Sequence, residues 1–183
     1  MHINGKNNYN EIENLVYELK SYIENQYLQN IYHYNNIWLF KFKTKSIVYE
    51  HGAGLFIGTF SEREKNLHSI CIKIRKELRG KKLFRINIVD DDKTIIFDFG
   101  IYKIVIELYA KGNIILLNSD NKVEVLTRAN PNCYHGMIYK FNDLKLFDNY
   151  TTSKYRWKNK NSEFIESTDD FDFNNVIEAL EKL

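Results

Sequence analysis

The sequence has little of what marks secreted or membrane proteins. It contains one Pro and two Cys among 183 residues, and two cysteines cannot form the disulfide framework of a small secreted domain. No apolar run approaches the roughly 18 residues that a membrane-spanning helix needs. The opening segment, MHINGKNNYN, contains no apolar signal-peptide core. We therefore expect a cytoplasmic protein that makes no membrane contact.

The composition favours a folded protein with one main domain. Hydrophobic residues make up 44% of the chain, including 13 Tyr and 12 Phe, and charged residues make up 27%. This balance argues against disorder, and the length is a little over that of one average domain. We expect a core domain over residues 1–145. Residues 146–183 are expected to form an extension with a basic and aromatic stretch and a short acidic helix.

Hydrophobic spacing predicts two amphipathic helices. The first begins near Glu11 and carries apolar residues at helical intervals. The second covers about residues 63–79 and ends at Gly80, a residue suited to a left-handed helix cap. Cys71 falls on the apolar side of this second helix, whereas Ile72 falls among its basic residues.

Short β-like runs separated by turn residues predict nine strands. Four runs follow the first helix and five follow the second. The runs are residues 28–34, 37–43, 46–51, 54–60, 84–89, 94–99, 101–109, 113–118 and 122–127. This order indicates an α+β protein with antiparallel meanders, and no internal repeat is visible in the sequence.

Charge is distributed unevenly along the chain. Residues 61–85 carry nine Lys and Arg against three Glu, whereas residues 162–183 carry seven acidic residues against one Lys. Basic residues on one face of an exposed helix neutralise phosphates and bind nucleic acid without reading its sequence. The candidate contacts of this kind are Arg75, Lys76, Arg79, Lys81 and Lys82. The alternative is that they only solvate the outer face of a surface helix.

No residue pattern indicates catalysis, a cofactor or a metal. The chain has no phosphate-binding glycine loop, nucleophile elbow or zincin motif. Two His/Cys pairs, at residues 68/71 and 133/135, are close in sequence. Cys71 nevertheless falls on an apolar helix face, where a small core residue is expected, and zinc sites have tighter ligand spacing. The sequence therefore favours a protein that is not an enzyme.

Two segments resemble the N-terminal domain of the NFACT family of ribosome-quality-control proteins. VIELYAKGNIILLN, residues 105–118, is similar to that family's I-E-L-Y/F-x-x-G-N signature, and IKIRKELRGKKL, residues 72–83, is similar to a basic helix end of the family. The order of the other elements also matches over about residues 9–145. The resemblance implies an antiparallel β-sandwich with two flanking helices, like the N-terminal domain of formamidopyrimidine-DNA glycosylases.

The resemblance also implies a function. Full-length family members bind a stalled large ribosomal subunit, recruit aminoacyl-tRNA and extend the nascent chain without a template. The chain is thus expected to be a non-catalytic RNA-binding module that contacts tRNA or the large ribosomal subunit. The family's acidic-basic pair falls on Asp92 and Lys93, in a turn that aspartates also favour for conformational reasons, and a family acidic residue of the first helix falls on Glu11. Lys93 lacks the bidentate guanidinium of the usual arginine, and Gly54 stands at another arginine position of the family.

Two other functions stay open. A DNA-binding protein would share the glycosylase-like fold, but glycosylases use an N-terminal proline followed by a glutamate, and this chain begins Met1, His2, Ile3. Glycosylase activity is therefore not expected. A protein-interaction module would instead use the aromatic residues and the acidic tail. The family's coiled coil and further RNA-binding module have no counterpart here, so we expect an isolated N-terminal module, either a fragment or a free-standing protein, of undetermined oligomeric state.

Overall fold

The chain divides into two compact units, Met1–Phe147 and Asp148–Leu183. The computed structural model describes residues 8–59, 68–109, 111–142, 144, 156–158 and 164–166. The predicted acidic helix at the end of the chain lies outside the described residues. Within the described part of the chain, no helix is both long enough and apolar enough to cross a membrane.

Each half of the first unit is a helix followed by an antiparallel meander. The first half consists of α1 (Tyr9–Ile23), β1 (Asn30–Tyr34), β2 (Ile37–Lys41), β3 (Ser46–Glu50) and β4 (Gly54–Ile57). The second half consists of α2 (Ser69–Leu78), β5 (Arg85–Ile88), β6 (Thr94–Asp98), β7 (Tyr102–Glu107), β8 (Asn113–Asn118) and β9 (Val123–Leu126). All nine predicted strands are confirmed. In the second unit, β10 (Arg156–Lys158) pairs antiparallel with β11 (Phe164–Glu166).

The strands of the first unit form two separate antiparallel sheets that share one core. The first sheet has the order β1-β2-β3-β4 and the second has the order β5-β6-β7-β8-β9. Apolar residues of both sheets and both helices belong to a single buried cluster. In it, the ring of Phe40 meets the ring of Phe97 edge to face at 6.0 Å between centroids. The predicted α+β class, with an antiparallel sandwich and two flanking helices, is confirmed.

The two helices begin at side-chain caps. Asn8 and Glu11 form a reciprocal capping box at the start of α1, with each side chain accepting from the other residue's backbone N–H at 2.9 Å. His68 has extended backbone and its Nδ1 accepts from the N–H of Ile70, so α2 begins at Ser69. The prediction that the second helix runs back to residue 63 is therefore wrong. Residues 63–67 lie outside the described residues.

The halves are related by an internal two-fold repeat that the sequence does not reveal. Where the chain leaves each helix, Leu28 N–H donates to the carbonyl of Lys81 at 2.9 Å and Leu83 N–H donates to the carbonyl of Gln26 at 2.8 Å. A shift of 55 residues relates the two bonds, because it turns position 28 into 83 and position 26 into 81. The same shift relates a second pair of bonds, in which Asn25 N–H donates to the carbonyl of Leu83 at 2.7 Å and Gly80 N–H donates to the carbonyl of Leu28 at 2.8 Å. The sequence shows no repeat because backbone pairing defines this equivalence without requiring identical side chains.

The repeat exchanges the helices between the two sheets. Helix α1 packs against β5, the first strand of the other half, and α2 packs against β1. Leu28 and Leu83, which follow the two helices, are fully buried at the crossing. Each helix is therefore held by the partner half's sheet as well as by its own connection.

The equivalence of the two helix exits predicts how position 80 tolerates substitution. Asn25 and Gly80 both have left-handed backbone, with φ of 66° and 78°. Gly80→Asn should change the free energy of unfolding by less than about 0.5 kcal/mol, whereas Gly80→Val should cost about 2 kcal/mol because a branched side chain is strained there. Urea unfolding measures both values. An equal loss for the two variants would contradict the equivalence.

Candidate nucleic-acid interface

Four of the predicted contact residues lie close together in sequence where α2 ends, and we call them the basic row. The basic row is Lys76, Arg79, Lys81 and Lys82. Cys71, Ile74 and Leu78 of α2 are fully buried against the core, Cys71 as predicted, so the opposite face of the helix is turned outward. Lys76, Arg79 and Lys81 are exposed. Lys82 is half-buried, with its Nζ 5.5 Å from the centroid of the Phe84 ring.

The charges of the basic row are not neutralised within the described residues. No described carboxylate lies within ion-pair distance of any residue of the row. The described residues do contain an ion pair in α1, between Lys20 and Glu24 at 2.9 Å. Unneutralised charges of one sign attract an anionic partner and exchange it for bound counterions.

Arg75 lies on the same helix, and its side chain contacts β1. Its guanidinium Nη2 donates to the carbonyl of Ile31 in β1, and the group lies 5.4 Å from the centroid of the Tyr32 ring. Lys20 occupies the equivalent position in α1 and donates to the carbonyl of Ile86 in β5 at 2.8 Å. Because both halves of the fold use a basic side chain to tie the helix to the other sheet, we assign Arg75 a structural role.

The internal repeat provides a comparison for the basic row itself. The equivalent positions of the first half carry no basic residue. They are Ser21, Glu24, Gln26 and Tyr27, matching Lys76, Arg79, Lys81 and Lys82 in that order. A helix C-terminus favours positive charge, but Lys81 and Lys82 lie beyond the end of α2. The fold therefore does not require positive charge at these positions.

The other predicted contacts are Glu11, in the first turn of α1, and Asp92 and Lys93, in the turn between β5 and β6. The hydroxyl of Tyr9, in the first turn of α1, accepts from the N–H of Asp91 at 3.1 Å. This bond ties the β5–β6 turn, which contains Asp92 and Lys93, to the first turn of α1, which contains Glu11. Asp91 has φ of 54°, so the turn uses the conformational tolerance of aspartate, and Lys93 accepts through its carbonyl from Leu108 N–H at 2.8 Å.

The candidate contacts therefore fall into two groups. Glu11, Asp92 and Lys93 lie near the start of α1, and the basic row lies where the chain leaves its end. A 15-residue helix is about 22 Å long at 1.5 Å per residue. The structure thus separates the two groups by roughly the length of one helix rather than joining them in one pocket.

The signature segment around β7 and β8 contributes to a buried network of polar side chains. Glu107 is nearly fully buried, and its Oε1 accepts from the hydroxyl of Tyr139 at 2.9 Å. Burial first, and the charge of Glu107 second, raise the pKa of the Tyr139 hydroxyl and raise the pKa of the Cys133 thiol to about 11. Both groups therefore stay protonated at neutral pH.

Asn113, at the start of β8, makes three polar contacts with the two residues that follow β9. Its Oδ1 accepts from Thr127 Oγ1 at 2.9 Å and from Arg128 N–H at 3.0 Å, while its Nδ2 donates to the carbonyl of Arg128 at 3.0 Å. Gly112 precedes it with φ of 73°, and a Cβ at this position would lie 2.1 Å from the Tyr49 hydroxyl. The glycine and asparagine of the signature thus have structural reasons in this chain.

The described residues contain no group of three or more His, Cys, Asp or Glu side chains that could hold a metal ion. Cys71 and Cys133 are free and buried.

His51 is partly buried beside the Tyr49 hydroxyl, which lies 3.1 Å from its Nδ1. Burial, followed by the charges of Arg128 and His33, lowers the pKa of His51 to about 4.

Sequence comparison finds relatives among ribosome-quality-control proteins. The chain is 29% identical over 164 residues to ribosome quality control complex subunit 2 of Saccharomyces cerevisiae, a match covering 82% of this chain and 16% of that protein. It is 41% identical over 66 residues to the archaeal Rqc2 homologue of Methanocaldococcus jannaschii, covering 34% of this chain and 10% of the relative. The matches thus span a small part of these longer proteins. No protein-family model matches the chain.

Structure comparison finds the same fold in bacterial domains. The N-terminal part of the fibronectin/fibrinogen-binding protein of Streptococcus suis matches with a TM-score of 0.61 at 16% identity, covering 75% of this chain and 60% of the other. The fibrinogen-binding protein of Staphylococcus aureus matches with a TM-score of 0.60 at 16% identity, covering 72% and 54%. Identity this low shows the fold alone. Together with the sequence relatives, it confirms the resemblance to the NFACT N-terminal domain.

The fit between Gly112 and Tyr49 predicts a large and specific mutational cost. Gly112→Ala should lower the free energy of unfolding by more than about 2 kcal/mol, because it combines left-handed backbone with a steric clash. Gly52→Ala is the matched control, since Gly52 has φ of 79° and nothing within 4 Å of an added Cβ; it should cost about 1 kcal/mol. Adding Tyr49→Phe to Gly112→Ala should recover part of the loss in a double-mutant cycle. Equal costs at the two glycines would disprove the clash.

The lowered pKa of His51 predicts a pH dependence of stability. Between pH 6.5 and about 4 the unfolded chain binds a proton at His51 that the folded chain does not bind, so stability should fall as the pH drops through this window and stay level above it. His51→Gln should remove about 1–2 kcal/mol of this dependence, allowing for solvent screening of a partly exposed ring. Unfolding midpoints of both proteins across the window test the effect. Parallel curves would show that His51 does not contribute.

Proposed function

We propose that this chain is a non-catalytic, cytoplasmic RNA- and ribosome-binding module that acts in ribosome quality control by contacting tRNA or the large ribosomal subunit. The relatives named as ribosome quality control subunits support the process, and the match to the yeast subunit covers 82% of this chain. The observation that carries the RNA contact is the basic row. Its charges have no carboxylate partner among the described residues, and its equivalents in the other half are not basic.

The geometry suits binding to a phosphate backbone rather than to a base sequence. Lys76 lies in the last turn of α2 and Arg79 caps it, while Lys81 and Lys82 follow Gly80, whose left-handed backbone turns the chain. Long, exposed basic side chains contact phosphates of varied geometry and release counterions on binding. Glu11, Asp92 and Lys93, at the other end of α1, provide a second contact on an extended RNA.

Two alternatives make different predictions. A DNA-binding protein of the glycosylase-like fold would use the same basic row but would prefer a duplex containing an abasic site. A protein-interaction module would use exposed aromatic residues such as Tyr109 and Tyr134 together with the acidic tail, and its binding would not weaken steeply with salt. Binding of the purified chain to tRNA, isolated large ribosomal subunits and an abasic duplex over a series of salt concentrations separates the three. Preference for the abasic duplex, or binding to none of the three, would contradict the proposal.

Charge reversal of the basic row tests its part in the contact. The variant Lys76→Glu, Arg79→Glu, Lys81→Glu should bind tRNA at least about 100-fold more weakly at low salt, and the slope of log affinity against log salt should shrink by about 2–3. Arg75 stays unchanged because of its structural contact with β1. The matched control is Lys43→Glu, Lys122→Glu, Lys140→Glu, which makes the same change in net charge at exposed positions on other elements. Equal losses in both variants would show that net charge alone matters.

A further inference from the structure

Two aromatic rings and a lysine share one face of the crossing between the two helix exits. Tyr27 lies directly opposite Lys82 in an antiparallel bridge. Side chains of directly paired residues point to the same face, and the next residue but one along a strand returns to that face. Phe84 joins Tyr27 and Lys82, because the Nζ of Lys82 lies 5.5 Å from the centroid of the Phe84 ring. The intervening Leu28 and Leu83 are fully buried on the other side. We name Tyr27, Lys82 and Phe84 the crossing face.

Both rings of the crossing face are open to solvent. Tyr27 is 61% exposed and Phe84 is 48% exposed, which is high for aromatic side chains. Phe84 nevertheless has a fixed edge, because its ring lies against Gly100, where an added Cβ would be 3.2 Å from the nearest ring carbon. This edge of the ring thus lies against the backbone while part of the ring faces outward.

The internal repeat shows that the fold does not require these rings. The position equivalent to Phe84 in the first half is Gln29, which is exposed, and the position equivalent to Tyr27 in the second half is Lys82. Both halves make the same backbone bonds with these different side chains. The crossing face also adjoins the basic row through Lys82, so exposed aromatic surface and unneutralised positive charge are continuous.

We propose that the crossing face stacks unpaired RNA bases on Tyr27 and Phe84 while Lys82, between them, contacts a phosphate. This inference deepens the proposed function and rests on it. Aromatic side chains beside basic ones stack bases of any identity. Bases within a duplex are already stacked and cannot lie on a protein ring. The partner of this face is therefore a single-stranded segment of RNA, such as a loop or an end, whereas the basic row alone would accept either form.

The test compares the full chain with variants on two RNA probes. One probe is an oligouridine of about 12 nucleotides, within the site sizes of single-strand-binding folds, and the other is a duplex RNA of the same length. Tyr27→Ala and Phe84→Ala should each weaken binding to the oligouridine about tenfold, leave duplex binding within about twofold and leave the salt slope unchanged. Tyr27→Trp should keep the affinity, and Tyr134→Ala, which removes another ring that is 52% exposed, should have no effect.

The outcomes distinguish this inference from the function on which it rests. If the chain binds RNA but the alanine variants bind the oligouridine as tightly as the parent, stacking is overturned and the RNA-binding function stands. Equal weakening on both probes also overturns it. If the unchanged chain binds neither RNA, both proposals fail. Thermal unfolding of each variant checks the fold, and Tyr27, the more exposed ring, keeps the test decisive should Phe84→Ala unfold.

Discussion

The antiparallel pairing of the two helix exits is the interaction on which the rest of the structure depends. Its backbone hydrogen bonds join residues 25–28 to residues 80–83 at 2.7–2.9 Å, and buried leucines lie beneath them. Because the pairing crosses the chain at the end of both helices, it sets each helix against the sheet of the other half. The crossing therefore brings both halves onto one core. It also fixes where the chain leaves α2, which is where the basic row begins.

The same crossing separates side chains that the fold needs from side chains that it does not. Lys20 and Arg75 are equivalent, and each donates to a backbone carbonyl of the opposite half, so a basic residue there has a structural reason. Beyond them, the halves diverge in charge while keeping the same backbone. This divergence is why the basic row and the crossing face carry the functional proposals, and why Arg75, predicted beside them from the sequence, does not.

Much of the fold was predictable because its signals are local. Alternating or continuous apolar runs between turn residues indicated every strand of the two sheets, and Gly80 indicated the end of α2 correctly. The start of α2 was not predictable, since apolar spacing continues through His68, whose backbone leaves the helix to cap it. The candidate site was predictable only as a set of charges. Arg75 and Lys76 are neighbours in sequence on one helix. Whether such a side chain binds a carbonyl, as Arg75 binds that of Ile31, or extends into solvent depends on residues far away in sequence.

The sequence by itself determined the α+β class, the nine strands and the resemblance to the NFACT N-terminal domain, because hydrophobic period, turn chemistry and short motifs are written in neighbouring residues. Only the tertiary structure decided that the chain is an internal repeat with exchanged helices. It also decided that Glu11 lies beside the Asp92–Lys93 turn, one helix length from the basic row, and that Tyr27 and Phe84 share a face. Long-range backbone pairing sets the repeat and the crossing face, and the hydrogen bond between the Tyr9 hydroxyl and Asp91 N–H sets the relation of Glu11 to the turn. Such contacts between distant residues leave almost no trace in the order of the residues.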